Sequence, residues 1–268
     1  MEGFWTRTAL RVWVVLVLLF LFIPIVIIPV FALNSSKVQS WPVTSFTLDW
    51  VNLTINDPEV LSALGLSVKI ALLTTALALV LGSLAAFAIH RTTFFGRDAI
   101  SLFLVLPLAL PGIITGVALR SSFTYANIDL SIWTIIVGHT TFCIVVVYNN
   151  VLARLRRTQG SLLEAAADLG ASGIQTFRDI TMPLISTALV AGAMLAFALS
   201  FDEVIVTTFT AGAQNTVPIW ILAQLRNGQH LPEVNVVVSF VILVTIIPVL
   251  VAARLTGGSG AARVQAGR

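Results

Sequence analysis

The sequence predicts an all-α integral membrane protein with six transmembrane helices, and three observations point to this class. Only 10% of the 268 residues are charged and 57% are hydrophobic, whereas a soluble domain carries about 25% charged residues. Apolar runs of about 20 residues, the length that crosses a bilayer, recur along the chain. These runs are continuous and lack the period-two alternation of a membrane β-barrel. The chain is therefore expected to form a helical bundle in lipid.

The six predicted spans follow from the apolar runs, taken in chain order. The first run is longer than the core of roughly 7–15 residues in a secretory signal, so we interpret it as a retained span. In the third span, Pro107 and the pair Pro111–Gly112 predict a kink. The spans cover residues 12–33, 62–89, 99–119, 132–152, 184–207 and 234–254.

Two further segments complete the chain. Between spans five and six, Pro218 suits the first turn of a helix and Gly228 suits its end, so a short interfacial or re-entrant helix is expected there. The last residues, 255–268, are small and polar and are expected to form a disordered cytoplasmic tail. Residues 1–254 then make up one six-helix membrane domain.

The distribution of basic residues predicts the orientation of this domain. Most of the 15 Lys and Arg residues lie in the N-terminal segment, in the loops 90–98 and 153–183, and in the tail. Basic loops of membrane proteins stay on the cytoplasmic side. Both termini and the loop 153–183 are therefore predicted to be cytoplasmic. The net charge of +3 does not indicate a nucleic-acid partner.

The loop 153–183 is long for a helical bundle, where connections take about 2–8 residues. It is also rich in helix-forming alanines, at positions 165–167. Such a segment could pack on the ends of the bundle as a simple connector. Alternatively, it could offer its small side chains to another protein, which would then approach closely.

Capping signals predict that this loop folds as two short helices. Ser161 and Glu164 have the spacing of a capping box, and Ser172 and Gln175 repeat it. Between the two pairs, Gly170 suits the left-handed residue that ends a helix. After the second helix, a proline at position 183 is expected to close the segment and to start span five.

These residues resemble the EAA signature of bacterial ABC importer permeases. In that signature, E-A-A is followed after three residues by G and after nine more by I-x-L-P. The sequence has this spacing throughout, and its one departure, Met for Leu, conserves side-chain volume. The matching residues are Glu164, Ala165, Ala166, Gly170, Ile180, Met182 and Pro183.

The resemblance extends over nearly the whole chain. The stretches FFGRDAISLFLVLPLALPGIITGVAL and GAMLAFALSFDEVIVTTFTAG resemble permeases of spermidine/putrescine-type importers. The resemblance implies a type I ABC importer permease, a multi-pass protein of the bacterial inner membrane whose EAA residues couple it to a cytoplasmic ABC ATPase, present in two copies. It further implies a second permease subunit that is a different but homologous chain, an extracytoplasmic substrate-binding protein, and a polyamine substrate.

The residues themselves also indicate that ATP is hydrolysed by another chain. A P-loop needs a Gly-rich turn that ends in Gly-Lys-Ser or Gly-Lys-Thr. The only lysines, Lys37 and Lys69, lie in no such context. We therefore expect this chain to have no enzymatic activity and to hold no cofactor or metal.

Two carboxylates in span five are the leading candidates for a substrate path. A charge inside a span costs about 2.5–3.5 kcal/mol on the insertion scale, so Asp202 and Glu203 call for a functional explanation. Gly192, Ala196 and Ser200 form a small-residue seam on the same helix. Helical periodicity places Glu203 near this seam and turns Asp202 away by about 100°.

Other roles stay open at these positions. The two carboxylates could reach the outer interface and be solvated, or Glu203 could pair with a fixed Arg of a partner chain. His139, the only histidine within a predicted span, could contact substrate or could be a hydrogen-bonded packing residue.

Other functional classes make different demands on the sequence. A permease of the same fold for sulfate, iron or an amino acid would keep the EAA residues and change the path. A secondary transporter would need no coupling loop and would usually show inverted repeats. A membrane-embedded enzyme would need converging catalytic groups, whereas Asp202 and Glu203 are adjacent and are expected to face apart.

Overall fold

A computed structural model describes residues 3–92, 95–158, 160–228 and 230–246, which form helices joined by loops and one isolated antiparallel bridge between Asn34 and Phe46. A five-residue π-helical turn, Phe177–Thr181, lies between the eighth and ninth helices. The helices are α1 (Phe4–Ala32), α2 (Asp49–Ile55), α3 (Pro58–Arg91), α4 (Arg97–Ala109), α5 (Gly112–Tyr125), α6 (Ile132–Arg156), α7 (Gly160–Asp168), α8 (Gly173–Thr176), α9 (Met182–Phe201), α10 (Ile205–Thr210), α11 (Val217–Asn227) and α12 (Leu231–Ile246).

Four of the predicted spans correspond to helices long and apolar enough to cross a bilayer. They are α1, α3, α6 and the continuous helix Gly173–Phe201, which α8, the π turn and α9 form together. The third predicted span corresponds to α4 and α5, which pass the same test only as a bent pair. Helix α12 contains the first part of the sixth predicted span, 234–254. The rest of that span and the tail 255–268 lie outside the described residues.

The third predicted span is broken rather than kinked. Helices α4 and α5 are bent by 104° relative to each other, and Leu110 and Pro111 between them have extended backbone. A proline forces the residue before it away from helical geometry, so Pro111 ends α4 at this point. Pro107, by contrast, lies inside α4 without ending it.

The described chain divides into two compact units, one of which is Ser62–Trp220. Its core is built on α6, which buries residues along its whole length. Helix α6 begins with a capping box in which Ser131 and Thr134 satisfy each other's backbone N–H groups. Helices α4, α5, α9 and α10 of this unit all contact α6.

The predicted small-residue seam is the face of α9 that packs on α6. Gly192, Ala196 and Ser200 are all buried. A Cβ atom on Gly192 would lie 3.4 Å from the Cα atom of Val147, and the Cys143 thiol donates a 3.4 Å hydrogen bond to the Ala196 carbonyl. The small side chains thus allow the two backbones to approach closely, as the sequence predicts.

The other unit consists of the chain segments Met1–Leu61 and Ile221–Arg268. In its described part, the loop after α1 is held by side-chain hydrogen bonds to backbone. The Trp50 indole N–H donates to the Asn34 carbonyl at 2.9 Å, and the Gln39 amide donates to the Leu231 carbonyl at 3.2 Å.

The short helix predicted between spans five and six is present as α11. Its first turn contains Pro218, and Gly228 follows its last residue with a left-handed φ of +66°. The Val217 N–H donates to the Ser67 hydroxyl on α3 at 2.8 Å. Both predicted end signals therefore mark the helix ends.

Candidate functional site

The first helix of the predicted coupling loop, α7, begins earlier than its capping signal suggests. It starts at Gly160, so Ser161 lies inside the helix and not at the position that caps it. The predicted capping box of Ser161 and Glu164 is thus wrong.

The end of α7, in contrast, has the geometry that the sequence predicts. Gly170 has a φ of +77°, in the left-handed region. Its N–H donates to the Ala167 carbonyl, and the Ala171 N–H donates to the Ala166 carbonyl, both at 2.9 Å. This pair of bonds is a Schellman motif, which satisfies the last carbonyls of a helix and turns the chain sharply.

The second helix of the loop, α8, has its predicted cap. The Ser172 hydroxyl accepts a hydrogen bond from the Gln175 N–H, and the Gln175 side chain accepts one from the Ser172 N–H at 2.8 Å. The segment Gly160–Thr176, called the α7–α8 knob below, is thus fixed by local hydrogen bonds at the glycine turn and at the start of α8.

The last part of the predicted loop is not a loop. The expectation that Pro183 closes the segment is wrong, because α8 continues through the π turn into α9. Ile180 lies in the π turn, and Met182 and Pro183 are the first residues of α9. In the π turn the Met182 N–H reaches the Phe177 carbonyl. This wider turn directly precedes the proline, whose ring clashes with a regular helical turn.

The α7–α8 knob exposes apolar side chains. Ala166 is only 6% exposed and faces its own chain, whereas Glu164 and Ala165 are exposed. Leu169 is 89% exposed and Ile174 is 80% exposed. A simple connector would be expected to cover such residues. Their exposure favours a surface that packs on another protein.

The knob is attached to the bundle by a rigid base. The Arg154 guanidinium on α6 donates a 2.7 Å hydrogen bond from Nε to the Leu184 carbonyl at the start of α9. The next residue, Ile185, is fully buried in the core. The base of the knob is therefore joined to both α6 and α9.

The predicted fifth span is interrupted at the two candidate carboxylates. Helix α9 ends at Phe201, and α10 begins at Ile205, so Asp202 and Glu203 lie in a break and not in a continuous helix. The Glu203 carboxylate accepts a 2.9 Å hydrogen bond from the Val206 N–H, which satisfies a free donor at the start of α10. Asp202 is exposed and Glu203 is half-buried. The helical periodicity that placed Glu203 near the seam does not apply beyond Phe201.

His139 bridges this break from α6. Its ring is 1% exposed. Nδ1 lies 2.9 Å from the Ser200 hydroxyl near the end of α9, and Nε2 lies 2.8 Å from the Thr207 hydroxyl on α10. A neutral imidazole donates from one nitrogen and accepts at the other, so both ring nitrogens are satisfied. The geometry favours the hydrogen-bonded packing role for His139.

The breaks in the third and fifth spans lie side by side. A Cβ atom on Gly112, the first residue of α5, would lie 3.7 Å from Ile205, the first residue of α10. One turn further along α5, a Cβ atom on Gly116 would lie 2.5 Å from the Phe209 ring, so the two short helices are in close contact. Broken helices inside a membrane are tolerated where they are buried in protein or line a water-filled cavity. We call this pair of breaks the paired break.

The paired break and the His139 bridge could not be read from the sequence. The signal for the α9–α10 break is weak: two carboxylates followed by β-branched residues, of which Val204, Ile205 and Val206 are the first. The partners of His139 are 61 and 68 residues away along the chain. Only the packing of α9 and α10 on α6 brings them together.

Comparisons with known proteins agree with this architecture. Residues 78–257 match the family described as "Binding-protein-dependent transport system inner membrane component". The spermidine/putrescine transport system permease protein PotC of Haemophilus influenzae is 32% identical over 258 residues, which cover 96% of this chain and 98% of that protein. PotC of Escherichia coli K12 is 34% identical over 233 residues, 86% of this chain and 87% of that protein. The putrescine transport system permease protein PotI of Escherichia coli K12 is 32% identical over 243 residues, 86% of this chain and 85% of that protein.

Solved structures share the fold at low sequence identity. A chain of a bacterial ABC transporter involved in the import of the acidic polysaccharide alginate superposes with a TM-score of 0.68 at 17% identity, covering 96% of this chain and 98% of that chain. A chain of an amino acid ABC transporter superposes with a TM-score of 0.58 at 15% identity, covering 78% of this chain and 100% of that chain.

Proposed function

The chain belongs to the family of binding-protein-dependent transport system inner membrane components, and we propose that it is the permease subunit of an ATP-driven importer of polyamines. The observation that carries this proposal is the α7–α8 knob, which is capped, turned by a left-handed glycine and apolar on its exposed surface. A rigid knob of this kind is suited to receive force from a soluble ATPase.

The assembly that we propose has several components. ATP is hydrolysed by two copies of a separate ABC ATPase, onto which the exposed residues of the knob dock. A second, homologous permease subunit completes the transport path, and an extracytoplasmic binding protein delivers the substrate. Closure of the ATPases moves the knob, and through the Arg154–Leu184 bond this movement reaches α6 and α9.

We further propose six spans with both termini in the cytoplasm of a bacterial inner membrane. The support is the concentration of Arg residues at one end of the bundle, at the ends of α3 and α6, at the start of α4 and in the π turn. Residues 1–254 then form the membrane domain, and residues 255–268 form a cytoplasmic tail.

The orientation can be tested by cysteine labelling in intact cells. The native Cys143 is buried, so the background reaction should be low. We expect a cysteine at Arg178, whose side chain is 85% exposed, to be protected from a membrane-impermeant thiol reagent. A cysteine at the exposed Asn52 should react. Labelling at Arg178→Cys with protection at Asn52→Cys would show the opposite orientation. The knob would then lie outside the cytoplasm and could not dock on an ATPase.

The polyamine substrate is supported by the relatives and by the charge at the paired break. PotC and PotI are by name permeases for spermidine and putrescine, or for putrescine. Polyamines are flexible cations, and the exposed Asp202 carboxylate together with the half-buried Glu203 supplies negative charge at the paired break.

Charge removal at the paired break tests this path. The test uses proteoliposomes that contain the complete transporter. We expect Asp202→Asn to raise the spermidine concentration that gives half-maximal uptake by about tenfold, equivalent to about 1.4 kcal/mol. Glu203→Gln should add to this loss, while its amide oxygen still accepts the Val206 N–H. ATP-driven uptake of labelled spermidine and of putrescine is the measurement.

A matched control separates a local effect from a general loss of negative charge. Asp129 is exposed in the loop after α5. Asp129→Asn should therefore leave the spermidine concentration at half-maximal uptake unchanged within about twofold. If Asp202→Asn and Glu203→Gln, alone and together, leave polyamine uptake unchanged, the electrostatic path is wrong. A transporter that instead takes up sulfate, iron or an amino acid would keep the knob and refute the polyamine substrate.

A further inference from the structure

A small cavity lies behind α7, on the side that faces the bundle. Its volume is about 50 Å³, and residues of α3, α6, α7, α9 and the π turn line it. Part of the wall is apolar and includes Phe87 and Leu163. The polar part includes His90, Arg91 and Thr158. A cavity of this kind can hold a small group that is charged at one side.

Arg91 lines this cavity, and two further arginines lie at the ends of other helices. Arg91 is the last residue of α3, Arg97 is the first of α4, and Arg156 is the last of α6. Leu155 and Thr158, which flank Arg156 in the sequence, also line the cavity, so the end of α6 lies beside it. The three arginines, Arg91, Arg97 and Arg156, are called the basic cluster below. They come from three different helices.

No carboxylate of the described residues forms an ion pair with the basic cluster. The ion pairs that the described ranges contain join Arg178 to Asp179 and His230 to Glu233. Several like charges held close together without a counter-charge repel one another, so an anion bound among them would be stabilised. The Arg91 guanidinium lies 6.0 Å from the centre of the Phe87 ring, which holds it at the cavity wall.

We propose that the cavity and the basic cluster bind the headgroup phosphate of an anionic phospholipid from the cytoplasmic leaflet. Phosphate suits Arg because a guanidinium donates two parallel hydrogen bonds to its oxygens. A lipid is the source because α3 and α6 are long and apolar enough to cross the bilayer, so the cluster at their ends would lie at the level of the headgroups. This placement rests on the cytoplasmic orientation proposed above.

The bound headgroup would have a direct effect on the knob. Leu163 of α7 and Thr181 of the π turn both line the cavity. An occupant would therefore contact both the helix that docks on the ATPase and the turn that leads into α9. The lipid would hold α7 against the bundle and so support coupling.

Lipid retention by the full chain tests the proposal without a transport assay. The chain is released from nanodiscs of equal parts phosphatidylglycerol and phosphatidylcholine, and bound lipid is counted by native mass spectrometry. We expect one phosphatidylglycerol to be retained in preference to phosphatidylcholine. The double variant Arg91→Gln/Arg156→Gln should reduce this retention by about tenfold or more, given the attraction of each Arg to anionic lipid.

Two further variants guard against general effects. Arg7→Gln/Arg11→Gln removes two charges from the N-terminal segment and should leave retention unchanged within about twofold. Leu163→Trp fills the cavity without removing a charge and should also abolish retention. An equal loss of bound phosphatidylglycerol in the Arg7→Gln/Arg11→Gln control would overturn the proposal. Full retention of this lipid by both Arg91→Gln/Arg156→Gln and Leu163→Trp would also overturn it.

Other outcomes identify a different occupant. Displacement of phosphatidylglycerol by millimolar inorganic phosphate would show a free-phosphate site and overturn the lipid source. If Arg91→Gln/Arg156→Gln keeps the lipid but no longer purifies with a co-expressed ATPase, the cluster binds a protein carboxylate and the proposal is wrong. Because lipid is counted directly and no transport is measured, a negative result refutes the lipid site alone and is distinguishable from failure of the proposed function, which polyamine uptake tests.

Discussion

We expect Gly170→Val to reduce ATP-driven uptake by at least about tenfold while the protein still inserts at normal abundance. Gly170 has a φ of +77°, where a residue with a side chain pays about 1–2 kcal/mol and a β-branched one more. The cost falls on the Schellman motif that joins α7 to α8, so the knob would sample other shapes. A free-energy change of about 1.4 kcal/mol corresponds to a tenfold change in population. Uptake and ATP hydrolysis, measured at equal protein levels, should become uncoupled.

Gly173→Val is the matched control for this prediction. A Cβ atom added to either glycine has no atom within 4 Å, but only Gly170 has left-handed backbone. Crowding is therefore equal in the two variants and backbone strain is not. We expect Gly173→Val to retain uptake within about twofold. Equal loss in both variants, or normal uptake by Gly170→Val, would contradict the role of the turn.

The second large effect is expected from His139→Ala. The substitution removes both hydrogen bonds across the α9–α10 break and leaves a void at a position that is 1% exposed. We expect a loss of about 2–3 kcal/mol in the free energy of unfolding, from the cavity and from the unpaired hydroxyls of Ser200 and Thr207. Thermal unfolding of the purified protein in detergent measures this loss.

The same variant distinguishes a packing role from a substrate contact. If His139 holds the break, uptake should fall by the same factor for putrescine and spermidine, and His139→Gln should restore part of the stability. Cys143→Ala, on the same buried stretch of α6, should have a much smaller effect on stability because the thiol bond is weak. A variant that unfolds at the normal temperature but discriminates between the two polyamines would instead show that His139 touches substrate.

Local signals predicted the parts of the fold that depend on a few neighbouring residues. The left-handed Gly170, the cap of α8 and the ends of α11 all follow from the side chain or backbone freedom of single residues. The small-residue seam of α9 was also predictable, because three small residues recur every fourth position, whereas its partner α6 was not. Such features need no knowledge of the rest of the chain.

Features that depend on tertiary packing were not predictable. The α9–α10 break forms where Glu203 satisfies the start of a new helix and where His139 satisfies hydroxyls on both sides. The contact between Gly112 and Ile205 brings two breaks together that are about ninety residues apart in the chain. The start of α7 was missed for a different reason, since the capping signal at Ser161 lies one residue inside the helix.

We propose that this chain carries polyamines across the membrane by force received at the α7–α8 knob from a separate ATPase. The most direct measurement is the initial rate of labelled spermidine uptake into proteoliposomes that hold the chain, its partner permease, the ATPase and the binding protein. We expect uptake that requires ATP and stops when the ATPase is omitted. Spermidine uptake at the same rate without the ATPase, or ATP-driven uptake of another solute with none of spermidine, would contradict it.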